Sequence, residues 1–333
     1  MKKLAIFLCF VAPFTIYAQT LSLDSCLNLA DKAYPLQKND ALLRQSAEIS
    51  NKMSSLAYYP SIKLNAQASW QTDVTQLVID NPMFSDLLPE IDKDQYKVYA
   101  ELSQTIWDGG VVVNKKELEN AQLQTNLQQT AVDIYKYKEQ LIDLFFVALS
   151  LQKQIEILQI KQWQIENVVS DLRAAVNNDV AIQAQLDILI AEKLVLNQNV
   201  INLEYEIKSL IQILSQYCNA DFAENLTFLV PTPDLKPVSE MKRPELLLFD
   251  YSSHQILAGK SVLKSTRNPK IFAFAQAGYG RPGLNMMSNE FEPYAIVGAK
   301  LVWTPWEWNK TKYEMQLLDV KASMVNTNEE IFI

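Results

Sequence analysis

Histidine and glycine are nearly missing from this chain, and their scarcity removes whole classes of chemistry. The one histidine, His254, belongs to no Cys/His or carboxylate cluster with metal-ligand spacing. No serine has a histidine partner in a nucleophile motif. The sequence therefore assigns no catalytic residue, no cofactor site and no metal ligand, and His254 reads as a helix-surface residue. Seven glycines among 333 residues leave no glycine-rich phosphate loop and favour long helices. A formal charge of −8 without any basic tract excludes the footprint of a nucleic-acid binder. Long hydrophobic runs are lacking too. Beyond residue 18 nothing approaches the ~18 apolar residues of a membrane-crossing helix, so any later crossing must be made by strands.

What is present begins with a leader. Lys2 and Lys3 precede the apolar run Leu4 to Phe14, and Ile16-Tyr17-Ala18 ends on a small residue, so residues 1–18 read as a secretory signal peptide. The mature chain keeps two of three cysteines, Cys26 and Cys218. Export would allow them to pair, but the sequence favours two unpaired small apolar residues. Lipid attachment at Cys26 is disfavoured, because Leu23-Asp24-Ser25 lies far from the apolar run and carries an acid.

The chain contains one unit twice. Tyr34-Pro35 is followed 25 residues later by Tyr59-Pro60, and Arg243-Pro244 by Asn268-Pro269 at the same interval. A shift of 209 superposes both prolines and pairs Ile62 with Ile271, Ala66 with Ala275, Gln67 with Gln276 and Trp70 with Tyr279. In each copy a helix leads to a proline that stops it and opens an extended run. Apolar Ile62, Leu64, Ala66, Ala68 and Trp70 alternate with Ser61, Lys63, Asn65, Gln67 and Ser69, the period of a two-faced strand. Partner strands follow near 96–107 and 294–306. Four such strands suit a membrane barrel, with Trp70, Tyr96, Trp107, Tyr279, Tyr294 and Trp303 at the lipid boundary. They also suit a soluble sandwich, and Phe272 and Phe274 blur the third strand. Open edges are forbidden in lipid, so the membrane reading demands an oligomer.

Between the copies runs a long helical hairpin. From Val111 to about Val176 there is neither proline nor glycine. One heptad column holds Ile134, Leu141, Ala148, Ile155, Gln162 and Val169, the other Tyr137, Leu144, Leu151, Leu158, Ile165 and Leu172. Asn177-Asn178-Asp179 breaks the pattern, Asp179 is placed to cap the return helix, and that helix runs to about Tyr217. The outgoing helix spans about 100 Å. A shorter helix over 24–58 completes the helical inventory.

This organisation resembles the TolC-type outer-membrane efflux protein family. The resemblance rests on the junctions at Tyr59-Pro60 and Asn268-Pro269, on Leu102-Ser103-Gln104-Thr105-Ile106-Trp107-Asp108-Gly109-Gly110, and on the turn Asn178-Asp179-Val180 followed by Ala184. It covers residues 20–333. It implies an α+β membrane protein whose protomer joins a long α-helical coiled-coil hairpin to four β-strands. Three protomers would form a 12-stranded β-barrel in outer-membrane lipid above a periplasmic α-helical tunnel. The implied partners are two further copies, a periplasmic adaptor (membrane-fusion) protein and an inner-membrane transporter. The implied role is a passive conduit for efflux or type I secretion.

Under this resemblance Arg173, Val176, Asn177, Asn178, Asp179 and Val180 form an adaptor-contacting tip, and Lys63, Asn65, Gln67, Glu101, Ser103 and Lys300 face the barrel lumen. Met83, Phe84, Leu87 and Leu88 would cover the mouth. The expected organisation is a first repeat over 19–220, a linker over 221–242 and a second repeat over 243–333. That second repeat departs from the family by lacking its own long hairpin, which reads as a fragment. The competing reading is a periplasmic coiled-coil scaffold or adaptor with a soluble β-domain. The strand faces discriminate between them.

Overall fold

The computed structural model describes residues 19–74, 92–232, 243–285 and 288–333. The leader, the mouth-covering cluster at 83–88 and part of the linker fall outside the described residues. In chain order the elements are β1 (Thr20–Leu21), α1 (Leu23–Ala33), α2 (Asn39–Ser55), β2 (Ser61–Trp70), β3 (Asp94–Trp107), α3 (Val111–Asn177), α4 (Gln183–Cys218), β4 (Thr227–Phe228), α5 (Pro244–Thr266), β5 (Lys270–Arg281), β6 (Glu292–Val302) and α6 (Lys310–Phe332). They divide into two compact units. The first comprises the described parts of Met1–Lys38 and Val132–Met241, the second those of Asn39–Ala131 and Lys242–Ile333.

In the first unit the coiled-coil columns become a packed seam. Leu141, Ala148, Leu151 and Val169 of α3 are buried, as are Leu186, Val200 and Leu214 of α4. The one polar column position is satisfied across the pair, since Gln162 Nε2 donates to Asn197 Oδ1 at 2.7 Å. At the base α1 joins α3 and α4, and Cys26, Ala30, Phe145, Ile211, Cys218 and Phe228 share one core. Ser22 starts α1 by accepting from the Ser25 N–H. A stack of Tyr34, Tyr137 and Tyr217, with centroids 3.9 and 4.9 Å apart, flanks that core.

Two expectations need correction here. The helix expected over 24–58 is broken: α1 ends at Ala33, Tyr34 is extended, and a 3-10 turn over Pro35–Lys38 precedes α2. The cause is the proline, which disfavours helical backbone in the residue before it. Nor does Asp179 cap α4. Ile182 occupies that position, while Asp179 takes a left-handed φ of 57°. It closes α3 instead, with Val180 N bonded to Ala175 O and Asp179 N to Val176 O, the two bonds of a Schellman motif. The small parallel pairing of β1 with β4 had no alternating pattern to announce it.

The second unit is a four-stranded antiparallel sheet in the order β2-β3-β5-β6 with helical segments at one end. Registers align Leu64 with Ala100, Ala100 with Ala277, and Ala277 with Ala295. A bulge falls at Ile106, between Thr105 and Trp107. Strand β6 stops at Val302, short of the expected 306, because Pro305 lacks the N–H that a ladder needs. Helices α5 and α6 pack together, tied by Lys260 to Asp319 at 2.5 Å.

Candidate functional site

The sheet separates its side chains by chemistry. Directly paired residues share a face, and the registers collect Ser61, Lys63, Asn65, Gln67, Glu101, Ser103 and Lys300 on one side. Six of these are the residues expected to face a lumen. Gln276 joins them and donates to Glu101 Oε2 at 2.8 Å. The sequence reading left Gln276 out of that set, although its repeat partner Gln67 was the signal. Phe272, Phe274, Tyr99 and Tyr294 also lie on this face, which corrects the expectation that Tyr294 stands with the lipid-boundary aromatics. The rings of Phe274, Tyr99 and Tyr294 fit because glycines face them. A Cβ on Gly298 would meet the Phe274 ring at 2.9 Å, and one on Gly278 would meet Tyr99 Cβ at 2.5 Å.

The opposite face is apolar and open. Leu64 and Val297 are each 83% exposed, and Ile62, Val98 and Leu301 are exposed as well. Along β3, by contrast, Lys97, Glu101, Ser103 and Thr105 of the polar face are half-buried. This arrangement is the reverse of a sheet whose apolar face lines a soluble core. Aromatic groups gather toward the strand ends: Trp70, Tyr96 and Tyr279 at one, Trp107, Trp303 and Trp306 at the other. Arg281 anchors the first end through Asp94 at 2.5 Å and Asp92 at 3.3 Å, stacked against Tyr96 and Phe291.

At the other end, two strand-to-helix corners have the same construction. Each carries two consecutive residues of positive φ, Gly109 and Gly110 after β3, Trp308 and Asn309 after β6. Gln104 Nε2 donates to the Tyr58 carbonyl at the first corner, and Trp303 Nε1 donates to the Arg267 carbonyl at the second. The first corner is locked by the buried Asp108, which accepts from Tyr58 Oη at 2.8 Å, Gly110 N at 2.9 Å and Val112 N at 2.5 Å. Burial alone would raise the carboxyl's pKa, but the donors outweigh it and hold it below the usual aspartate range. Tyr58 is shifted upward, chiefly by the same hydrogen bond.

A pH dependence follows. A depressed carboxyl contributes stability that is present above its unfolded pKa of about 3.9 and is lost as pH falls through the lower folded value. At neutral pH Asp108→Asn is expected to cost about 1.5–3 kcal/mol, the range for hydrogen bonds to a charged group. Thermal melts of both proteins as pH falls below about 4 should converge. A gap that stays constant would show that the charge is irrelevant.

In the first unit, the turn between α3 and α4 brings the six tip residues together. Val180 is 79% exposed and Ile182 is exposed beside it, so apolar groups stand at an end where no described residue covers them. Arg173, Asn177, Asn178 and Asp179 are exposed, and Val176 is half-buried. His254 is exposed on α5. Among the described residues no group of three or more histidines, cysteines or carboxylates could hold a metal ion, and no helix is long and apolar enough to cross a membrane.

These features define a fold: an antiparallel sheet with one apolar face and a long helical hairpin, the fold of solved outer-membrane channels. Several solved structures share this fold with the chain. It matches the outer membrane protein VceC of Vibrio cholerae at a TM-score of 0.62 and 9% identity, over 92% of this chain and 74% of that one. It matches the CmeC outer membrane channel of Campylobacter jejuni at 0.65 and 11%, over 93% and 67%. It matches the open state of the MtrE outer membrane channel of Neisseria gonorrhoeae at 0.57 and 12%, over 91% and 68%. No protein-family model and no curated protein matches the chain in sequence.

Proposed function

We propose that the chain is a subunit of a passive channel in the bacterial outer membrane, with its helical part in the periplasm, serving a tripartite efflux or type I secretion system. The observation that carries this reading is the inverted sheet. Residues such as Leu64 and Val297 expose their side chains almost fully, while the polar-face residues of β3, such as Lys97 and Glu101, are half-covered. Lipid is the solvent that favours such a surface.

β2 and β6 are the outer strands of the sheet, and a membrane sheet cannot keep open edges. Three copies joined edge to edge give the 12 strands of a closed barrel. Lys63, Asn65, Gln67, Glu101, Ser103 and Lys300 then line its lumen, and the aromatic residues at the strand ends meet the lipid boundary. The matching corners after β3 and β6 support reading 19–220 and 243–333 as two copies of one unit, preceded by a cleaved leader over 1–18. The exposed apolar tip around Val180 supports docking of a periplasmic adaptor protein, which would connect the channel to an inner-membrane transporter. Such a subunit conducts and does not catalyse.

The test is to express the chain with its leader in a diderm bacterium and fractionate the envelope. The expected result is outer-membrane material that migrates as a trimer on gels and collapses to monomer on heating. A soluble periplasmic monomer with folded strands would refute the channel and favour the scaffold reading.

A further inference from the structure

Two thiols from opposite ends of the first unit meet inside its core. Cys26 lies on α1 and Cys218 is the last residue of α4, 192 positions away. Their sulfurs are 3.4 Å apart, and both residues are buried, at 0% and 2% exposure. Nothing lies between them, and the Cys218 thiol also points at the Cys26 carbonyl at 3.6 Å. A disulfide has an S–S length of about 2.05 Å, so closure needs the sulfurs to approach by roughly 1.3 Å, within reach of small side-chain rotations.

We propose that Cys26 and Cys218 form a structural disulfide that closes while the chain folds in an oxidising compartment, stapling α1 to the end of α4. The chemistry is thiol–disulfide exchange with a disulfide-bearing oxidant. One thiolate attacks the oxidant and displaces one of its sulfurs. The second then displaces the other oxidant sulfur from the mixed disulfide. Two cysteine thiols lose two protons and two electrons, one Sγ–Sγ bond forms, and the oxidant leaves as two thiols.

Burial dictates the timing. In the finished core no oxidant can reach either sulfur, and the hydrogen bond to Cys218 together with burial pushes the Cys26 thiol far up, away from thiolate. Exchange must therefore occur before the core of Leu141, Phe145, Leu214 and Phe228 closes, and the finished bond is shielded from reductants. The site of the bond has a structural consequence. α1 meets this unit through the core, through the Asp31–Lys138 ion pair at 2.8 Å and through the Tyr34–Tyr137 stack at its end, and the staple adds a covalent tie between α1 and the end of α4.

The inference rests on the export reading for its compartment, and the experiment separates the two. The full chain is refolded in detergent with a mixture of oxidised and reduced glutathione, alkylated in denaturant and digested. A second sample is purified from the exporting cell. The expected result in both is a linked peptide pair about 2 Da lighter than its reduced components, with no alkylated Cys26 or Cys218. Reductant present during unfolding should lower the melting midpoint by about 5–10 °C, and a Cys26→Ser/Cys218→Ser chain should show no reductant effect. Two alkylated thiols in a chain refolded to native helix content would overturn the proposal, as would free thiols in exported chain whose leader has been removed. Free thiols in cell-derived chain that retains its leader would sink the export reading instead, and the refolding arm would still decide the pair.

Discussion

Leu64→Arg is expected to remove the protein from the outer membrane, while Asn65→Arg, one residue away, leaves it there. Leu64 pairs with Ala100 at the middle of β3, so in a spanning sheet it sits near the centre of the bilayer. An arginine facing lipid at that depth costs about 2–4 kcal/mol in each protomer. That is roughly a thirty- to several-hundred-fold shift in the insertion equilibrium, repeated in each subunit of the proposed trimer. Asn65 pairs with Tyr99 and lies on the polar face, where a charge can stay hydrated in a lumen. Envelope fractionation and heat-dependent gel migration of the two variants read the difference directly. In a soluble protein the ranking reverses: Leu64 is already open to water, and an arginine there costs nothing. Equal membrane yield of both variants would mean that the exposed face does not meet lipid.

How far the sequence could be read depended on whether a pattern repeats. Period-two alternation over 61–70 located both faces of β2, and the shift of 209 placed β5 with it. Heptads over 134–172 located the seam of α3 against α4, because a single polar position in twelve is a signal that chance does not produce. Features without a period stayed hidden. The β1–β4 pairing joins two residues to two others more than 200 positions apart, too short to carry alternation. The break at Tyr34 was visible in Pro35, but the helical pattern on both sides outweighed it. The adjacency of Cys26 and Cys218 is a product of tertiary packing alone. The second corner stayed hidden as well: left-handed backbone at Trp308 and Asn309 was not foreseeable where the first copy uses two glycines.

The second large effect belongs to the core of the first unit. Phe145→Ala is expected to cost about 3–5 kcal/mol, the range for removing a fully buried aromatic side chain from a packed site. Phe146→Ala, the next residue on the same helix, is expected to cost under about 1 kcal/mol in the isolated chain. The two differ in surroundings alone. Phe145 is 0% exposed and meets Phe228 edge-to-face at 5.4 Å, whereas Phe146 is 46% exposed. The large cost arises because the site cannot collapse. α3 and α4 are held at fixed separation by the coiled-coil seam above, so the space left by the ring stays open. The loss also propagates to β4. Phe228 is held by that ring contact, by its N–H to Gln152 Oε1 at 2.7 Å and by two-residue pairing with β1, which has no independent stability. Hydrogen exchange should therefore accelerate at the amides of Thr227, Phe228 and Leu229 in Phe145→Ala well before global unfolding, and stay protected in Phe146→Ala. Chemical denaturation of the two variants gives the first comparison and exchange at these three amides the second. Equal stability would mean that the α1–α3–α4 core does not hold the first unit together. Where Phe146→Ala instead lowers trimer yield with its monomer stability intact, the exposed ring marks a surface covered by a neighbouring copy.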